Sequence, residues 1–128
     1  MRGRTATQWW GTAIEAPDPR ALATFYSSLL DWSIVHEADD VAIIKPPQDG
    51  VYMVFQLAND FVAPVWPAEA GDQRTMMHLD IEVTELDEAV AAAISLGARE
   101  AQFQPQENVR VLFDPVGHPF CLCRDDGD

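Results

Sequence analysis

A chain of 128 residues, 48% hydrophobic and 23% charged, has the length and apolar content expected of one globular domain spanning 1–128. Its formal net charge of -13 creates a negative field that repels nucleic-acid phosphates and anionic lipid, and no apolar run reaches the roughly 18 residues of a membrane span. Met1 to Trp10 lacks the apolar middle of a signal peptide, and the only cysteines, Cys121 and Cys123, are too close on one strand for an unstrained disulfide, so a soluble cytoplasmic protein is expected.

Trp10 to Ala16 precedes a helix that Asp18 caps and Pro19 opens, with Leu22, Phe25, Tyr26, Leu29 and Leu30 as its buried stripe. Three short strands follow at Ser33 to Glu37, Val41 to Lys45 and Val51 to Leu57, broken by turn residues at 38–40 and 46–50. Asn59 to Arg74 has Pro64, Pro67 and Gly71 but no periodicity. It reads as a connector, long enough to cover something.

Beyond it the pattern repeats. Met77, Leu79, Ile81 and Val83 alternate with His78, Asp80 and Glu82, as on a half-buried strand. Thr84 is the expected N-cap of a helix carrying Leu86, Ala89, Val90, Ala93 and Ile94 and stopped by Gly97. Strands are expected near Glu100 to Gln104, Val109 to Phe113 and Pro119 to Cys123. Residues 11 and 78, 14 and 81, and 29 and 96 are each 67 apart, so the two halves are copies of one strand-helix-strand-strand-strand unit. Module one covers about 8–60, the connector 61–74 and module two about 75–124. The end Asp125-Asp126-Gly127-Asp128 reads as a solvated tail.

This module order, with Asp18-Pro19 ahead of Phe25-Tyr26 and Leu29-Leu30, His78-Leu79-Asp80, and Asp114-Pro115-Val116-Gly117-His118-Pro119-Phe120, resembles the vicinal oxygen chelate superfamily of glyoxalases, bleomycin-resistance proteins and dioxygenases. The resemblance is nearest to small bacterial glyoxalase-like proteins and runs from about Gln8 to Arg124. It implies an α+β fold of two βαβββ modules forming a cupped mixed sheet with the helices outside, and a homodimer.

In metal-using members of that superfamily, the first and last strands of each module hold one divalent ion. The resemblance places those positions at Gly11 and His78 on the first strands, and at Gln56 and Cys121 on the last, matched by the apolar flanks of Phe55-Gln56-Leu57 and Phe120-Cys121-Leu122. Strand alternation puts all four opposite Ile14, Phe55, Leu79 and Phe120. Glycine has no side chain and an amide oxygen is a weak donor, so no metal is expected. Were a divalent metal bound, Gln56, His78 and Cys121 would be its donors, and His78 with Cys121 and Cys123 is the thiolate-imidazole alternative for zinc.

The expected site is therefore a small-molecule cup lined by Gly11, Ala13, Gln56, Trp66, His78, Asp80 and Cys121. Trp9 and Trp66 offer aromatic faces, and Glu15, Asp80 and Glu82 offer negative charge, which suits a cationic or aromatic ligand. His78 and Asp80, two apart on one strand, are the candidate catalytic pair for moving a proton. His118 and Asp114 are read as turn residues, Trp10 and Trp32 as packing residues, and His36 has no partner in view. No phosphate loop, Gly-x-Ser-x-Gly, His-Glu-x-x-His or CxxC occurs. The expectation is a glyoxalase-like ligand-binding protein with a degenerate metal site and no assigned reaction; the alternatives are a metal-dependent lyase, isomerase or dioxygenase, and a bleomycin-type antibiotic-binding protein.

Overall fold

The computed structural model describes residues 1–6 and 9–124. Gln8, where module one was expected to begin, and the acidic tail at 125–128 lie outside the described residues. The chain divides into two compact units, 1–61 and 62–128.

In the first unit, β1 (Trp10–Ala16) leads to α1 (Pro19–Leu30), β2 (Ser33–Glu37), β3 (Val41–Lys45) and β4 (Val51–Leu57). The sheet order is β1-β4-β3-β2, with β1 parallel to β4 and the other pairs antiparallel. Asp18 begins α1 as the sequence implies: its carboxylate accepts from Ala21 N–H at 3.2 Å, and Pro19 occupies a first-turn position that needs no amide donor. Asp31, in the left-handed region at φ 57°, ends it. Leu22, Ala23, Phe25 and Tyr26 are buried against the sheet, where Tyr26 stacks on Phe55 with ring centroids 5.6 Å apart. Leu29 and Leu30, expected in the same stripe, are half-buried.

The second unit runs β5 (Leu79–Val83), α2 (Leu86–Ser95), β6 (Arg99–Glu100), β7 (Val109–Phe113) and β8 (Pro119–Arg124), in the sheet order β5-β8-β7-β6. Again the first strand is parallel to the last and the remainder are antiparallel. Each unit is thus one four-stranded mixed sheet with one helix, an α+β architecture. Phe120, Leu112 and Leu122 are buried on one side of this sheet, and Ala101, Val111 and Phe113 form a second buried cluster.

Three local expectations fail. Thr84 is not the N-cap of α2. That place falls to Glu85, whose side chain makes no cap bond, while Asp87 and Glu88 put negative charge by the positive helix end. The helical spacing that groups Ile94 with Leu86 and Ala93 does not bury it: Ile94 is 45% exposed. The strand expected at Glu100 to Gln104 keeps a ladder only at Arg99 and Glu100. Beyond Ala101, whose N–H bonds Val111 C=O, the Gln104 side chain replaces the backbone: its Oε1 accepts from Val111 N–H, and its Nε2 donates to Val111 C=O and Ala101 C=O, each at 2.9 Å. A side-chain amide carries the same donor and acceptor as a peptide, so β7 stays paired without further strand.

Candidate functional site

The register of the two sheets decides which residues meet. Gly11 pairs with Tyr52 across β1 and β4, and Asp80 with Cys121 across β5 and β8, each 41 residues apart. With the 67-residue repeat this makes His78 the counterpart of Gly11, Asp80 of Ala13, and Cys121 of Val54. Gln56 corresponds to Cys123. The match of Gln56 to Cys121 by apolar flanks is therefore two residues out of register, because flanking alternation repeats every two residues and does not fix phase.

In the second unit, Asp80, Cys121 and Val111 form one row across β5, β8 and β7. His78 precedes β5, and its Nε2 lies 3.2 Å from Asp80 Oδ1, both side chains being largely open to solvent. One donor atom each from His78, Asp80 and Cys121 falls within 4.8 Å of the others. The Cys121 thiol is pushed up to about 11, first by burial, then by the negative charges of Asp80 and Cys123 and by its hydrogen bond with Asp80. Burial, then Asp80, also raises Cys123. Both are protonated thiols at neutral pH rather than nucleophiles.

Next to this polar corner is an apolar wall. Trp66 and Cys121 both pack on the Ala101, Val111 and Phe113 cluster, and the Trp66 ring meets Phe103 at 5.7 Å. Trp66 is half-buried, held by a connector that Val65 N–H closes onto Gln73 C=O at 2.8 Å. A separate shallow groove, lined by Glu82, Glu85, Glu88 and the start of α2, contains none of His78, Asp80 and Cys121.

The first sheet is different at every equivalent position. Ala13, Val54 and Ile43 form an apolar row where the second has Asp80, Cys121 and Val111. The Tyr52 ring occupies the space into which a Cβ on Gly11 would project. Trp9 stacks on that ring at 4.0 Å between centroids and 15° between planes, with Lys45 Nζ 5.9 Å from the Trp9 ring. Gln56 is exposed beside Glu15 and Val41. Trp10, read as a packing residue, is 56% exposed, whereas Trp32 is half-buried.

Within the first unit these places offer no metal donor: Gly11 has no side chain and no space for one, and Ala13 and Val54 are hydrocarbons. Asp114 and His118 build a turn, as expected. Asp114, 3% exposed, accepts from the N–H groups of Val116, Gly117 and His118, and its Oδ2 lies 2.7 Å from His118 Nδ1. Sequence reasoning missed the Tyr52 cover over Gly11 and the meeting of Asp80 with Cys121.

Comparison with known proteins agrees with this fold. A family model described as a glyoxalase-like domain matches residues 11–123. No curated protein matches the chain in sequence. Among solved structures, a glyoxalase/bleomycin resistance protein/dioxygenase family enzyme from Burkholderia phytofirmans PsJN superposes with a TM-score of 0.66 at 14% identity, covering 94% of this chain and 98% of the other. Fosfomycin resistance protein FosX from Mesorhizobium loti gives 0.65 at 12% identity, covering 92% of each chain. A point mutant of FosX from Listeria monocytogenes, solved with Mn(II) and 1S,2S-dihydroxypropylphosphonic acid, gives 0.64 at 13% identity, covering 88% and 86%. At these identities the likeness is one of fold.

Proposed function

The chain belongs to the glyoxalase-like domain family of the vicinal oxygen chelate superfamily, and from that premise we propose that it binds a small organic ligand on the open face of its second sheet. The observation that carries this reading is the His78 and Asp80 pair, Nε2 and Oδ1 3.2 Å apart, next to Cys121, which packs on the same apolar cluster as Trp66. An acidic-imidazole corner beside an aromatic wall suits a ligand with a cationic or hydrogen-bonding group on an aromatic body. Gly11, Ala13 and Gln56, expected in the same cup, contribute less: Gly11 is covered, Ala13 is apolar, and Gln56 falls at the first-sheet equivalent of Cys123, beside Glu15 and Val41.

A second reading is favoured by the same pair. If neutral His78 donates Nε2–H to Asp80, its Nδ1 is left as an acceptor and could take a proton from a bound substrate, as a lyase or isomerase requires. The chain works in this reading as one soluble, cytoplasmic domain; no helix among the described residues is long and apolar enough to cross a membrane. A homodimer is part of the proposal, supported by edge strand β2, whose residues are all exposed, with Val35 at 54%.

A thermal-shift screen of cationic and aromatic compounds against the wild type, Trp66→Ala and His78→Ala tests the assignment. Stabilisation by a compound that both substitutions remove supports it. Stabilisation that survives both places the ligand elsewhere and overturns it.

A further inference from the structure

We propose that the ligand of the second sheet is an aromatic zwitterion, whose anionic end is received by Arg99 while the His78 and Asp80 corner receives its cationic end. This ligand class rests on the small-molecule reading above and narrows it by a second charged anchor.

Arg99 is a cation without an anion. The chain carries 21 acidic residues against 8 lysines and arginines, so carboxylates are plentiful for its basic side chains. Arg20 pairs with Asp39 and Arg110 with Glu100, yet Arg99, exposed at the start of β6, has no carboxylate partner among the described residues. Its guanidinium instead lies over the Phe113 ring, 4.6 Å from the centroid. Stacking holds a planar guanidinium by its face and leaves its N–H edge for two parallel hydrogen bonds to an oxyanion.

Ladder register puts Arg99 on the same face as the acidic corner. Arg99 pairs with Phe113, and two residues back along β7 Val111 pairs with Cys121, which pairs with Asp80. Paired residues project to one face of a sheet, and so do residues two apart on a strand. Arg99 and Asp80 therefore stand at opposite margins of one surface. Its middle is apolar, since Cys121 and Trp66 both lie against Val111 and Phe113.

The span between the margins selects a ligand size. Asp80 projects from β5, while the Arg99 side chain starts on β6 and its guanidinium reaches over Phe113 of β7. Two to three strand spacings of about 4.8 Å thus separate the charges, roughly 10–14 Å. Two charge-assisted hydrogen bonds take up about 5.6 Å of this, which leaves the charged ends of the ligand roughly 4–8 Å apart. One benzene ring with its two charged groups para to each other spans that interval. Glu82, two residues beyond Asp80 on β5, adds negative charge at the cationic end, so a reversed ligand is repelled.

Isothermal titration calorimetry of the full-length protein with 4-amidinobenzoate, and with benzamidine, which lacks the carboxylate, tests this. The wild type should bind 4-amidinobenzoate about tenfold more tightly than benzamidine, the gain from one charge-assisted contact. Arg99→Gln should abolish the gain and reverse the order, because the carboxylate then meets only the negative field of the chain. Its affinity for benzamidine should match the wild type, which also shows that the variant is folded. Asp80→Asn should weaken both compounds. Equal wild-type affinities for the two compounds, or a gain that survives Arg99→Gln, overturns the zwitterion assignment and leaves the small-molecule reading standing. Benzamidine binding that Asp80→Asn does not weaken, or binding of neither compound, overturns the assignment together with the reading it rests on.

Discussion

Asp80 and Cys121 face each other across the parallel β5–β8 pair, where the first sheet sets Ala13 against Val54. One duplicated crossing thus carries a carboxylate and a thiol in one copy and two hydrocarbons in the other. The copies share a fold, and at this crossing only the second carries ionisable side chains.

The raised Cys121 thiol makes a kinetic prediction. In a Cys123→Ser background, alkylation of Cys121 by iodoacetamide at pH 8 should be about tenfold slower than that of a peptide cysteine, since a lower thiolate fraction outweighs higher intrinsic nucleophilicity. The rate should keep rising with pH toward about 11 rather than levelling near 9.0, and Asp80→Asn should increase it at pH 8. Because the folded pKa exceeds the unfolded one, the thiol's contribution to stability is complete below about 9.0 and lost as pH rises toward about 11. Rates measured by mass spectrometry across pH 7 to 11 check the kinetic part.

Gly11→Ala drives a methyl group into the Tyr52 ring and should cost about 1–3 kcal/mol, with loss of the Trp9 stack. In a Tyr52→Ala background the same substitution should cost under about 0.5 kcal/mol, since the clash is gone. Urea unfolding of the four proteins in this cycle measures the coupling.

Gln104→Ala removes a side chain that bonds both the N–H and the C=O of buried Val111, and should lower stability by about 1–3 kcal/mol. Gln104→Glu should not restore it, because a carboxylate accepts from the N–H but cannot donate to the C=O. A lower urea midpoint at unchanged slope is the expected signature.

Asp114→Ala leaves three backbone N–H groups and His118 Nδ1 without that carboxylate and should cost upward of about 3 kcal/mol. His118→Ala, which removes one of these four partners, should cost less. Both effects should appear in unfolding midpoints, with ligand affinity per folded molecule unchanged.

Much of the fold was legible in the sequence because period two and period 3.6 alternate cleanly, and Asp18-Pro19 marks a helix start unambiguously. β6 was not, since a run that looks like a strand to Gln104 ends early when the Gln104 side chain takes over the pairing. Thr84 misled because capping propensity favours Thr, whereas the helix begins one residue later at Glu85 without any side-chain cap bond. For the site, the His78 and Asp80 pair follows from their spacing of two residues, although His78 falls just before β5. Which residue of β8 faces Asp80 depends on ladder register, and apolar flanks alone cannot set it. The Tyr52 ring over Gly11 depends on a side chain's direction, which residue spacing does not encode.

The most direct test of the account is a residue-assigned nuclear magnetic resonance titration with benzamidine, a compound that combines a cation with an aromatic ring. The account predicts shifts centred on His78, Asp80, Cys121 and the Trp66 indole, with Gly11, Val54 and Gln56 unmoved. Shifts centred on Gly11, Tyr52 and Gln56, with the second sheet silent, would contradict it.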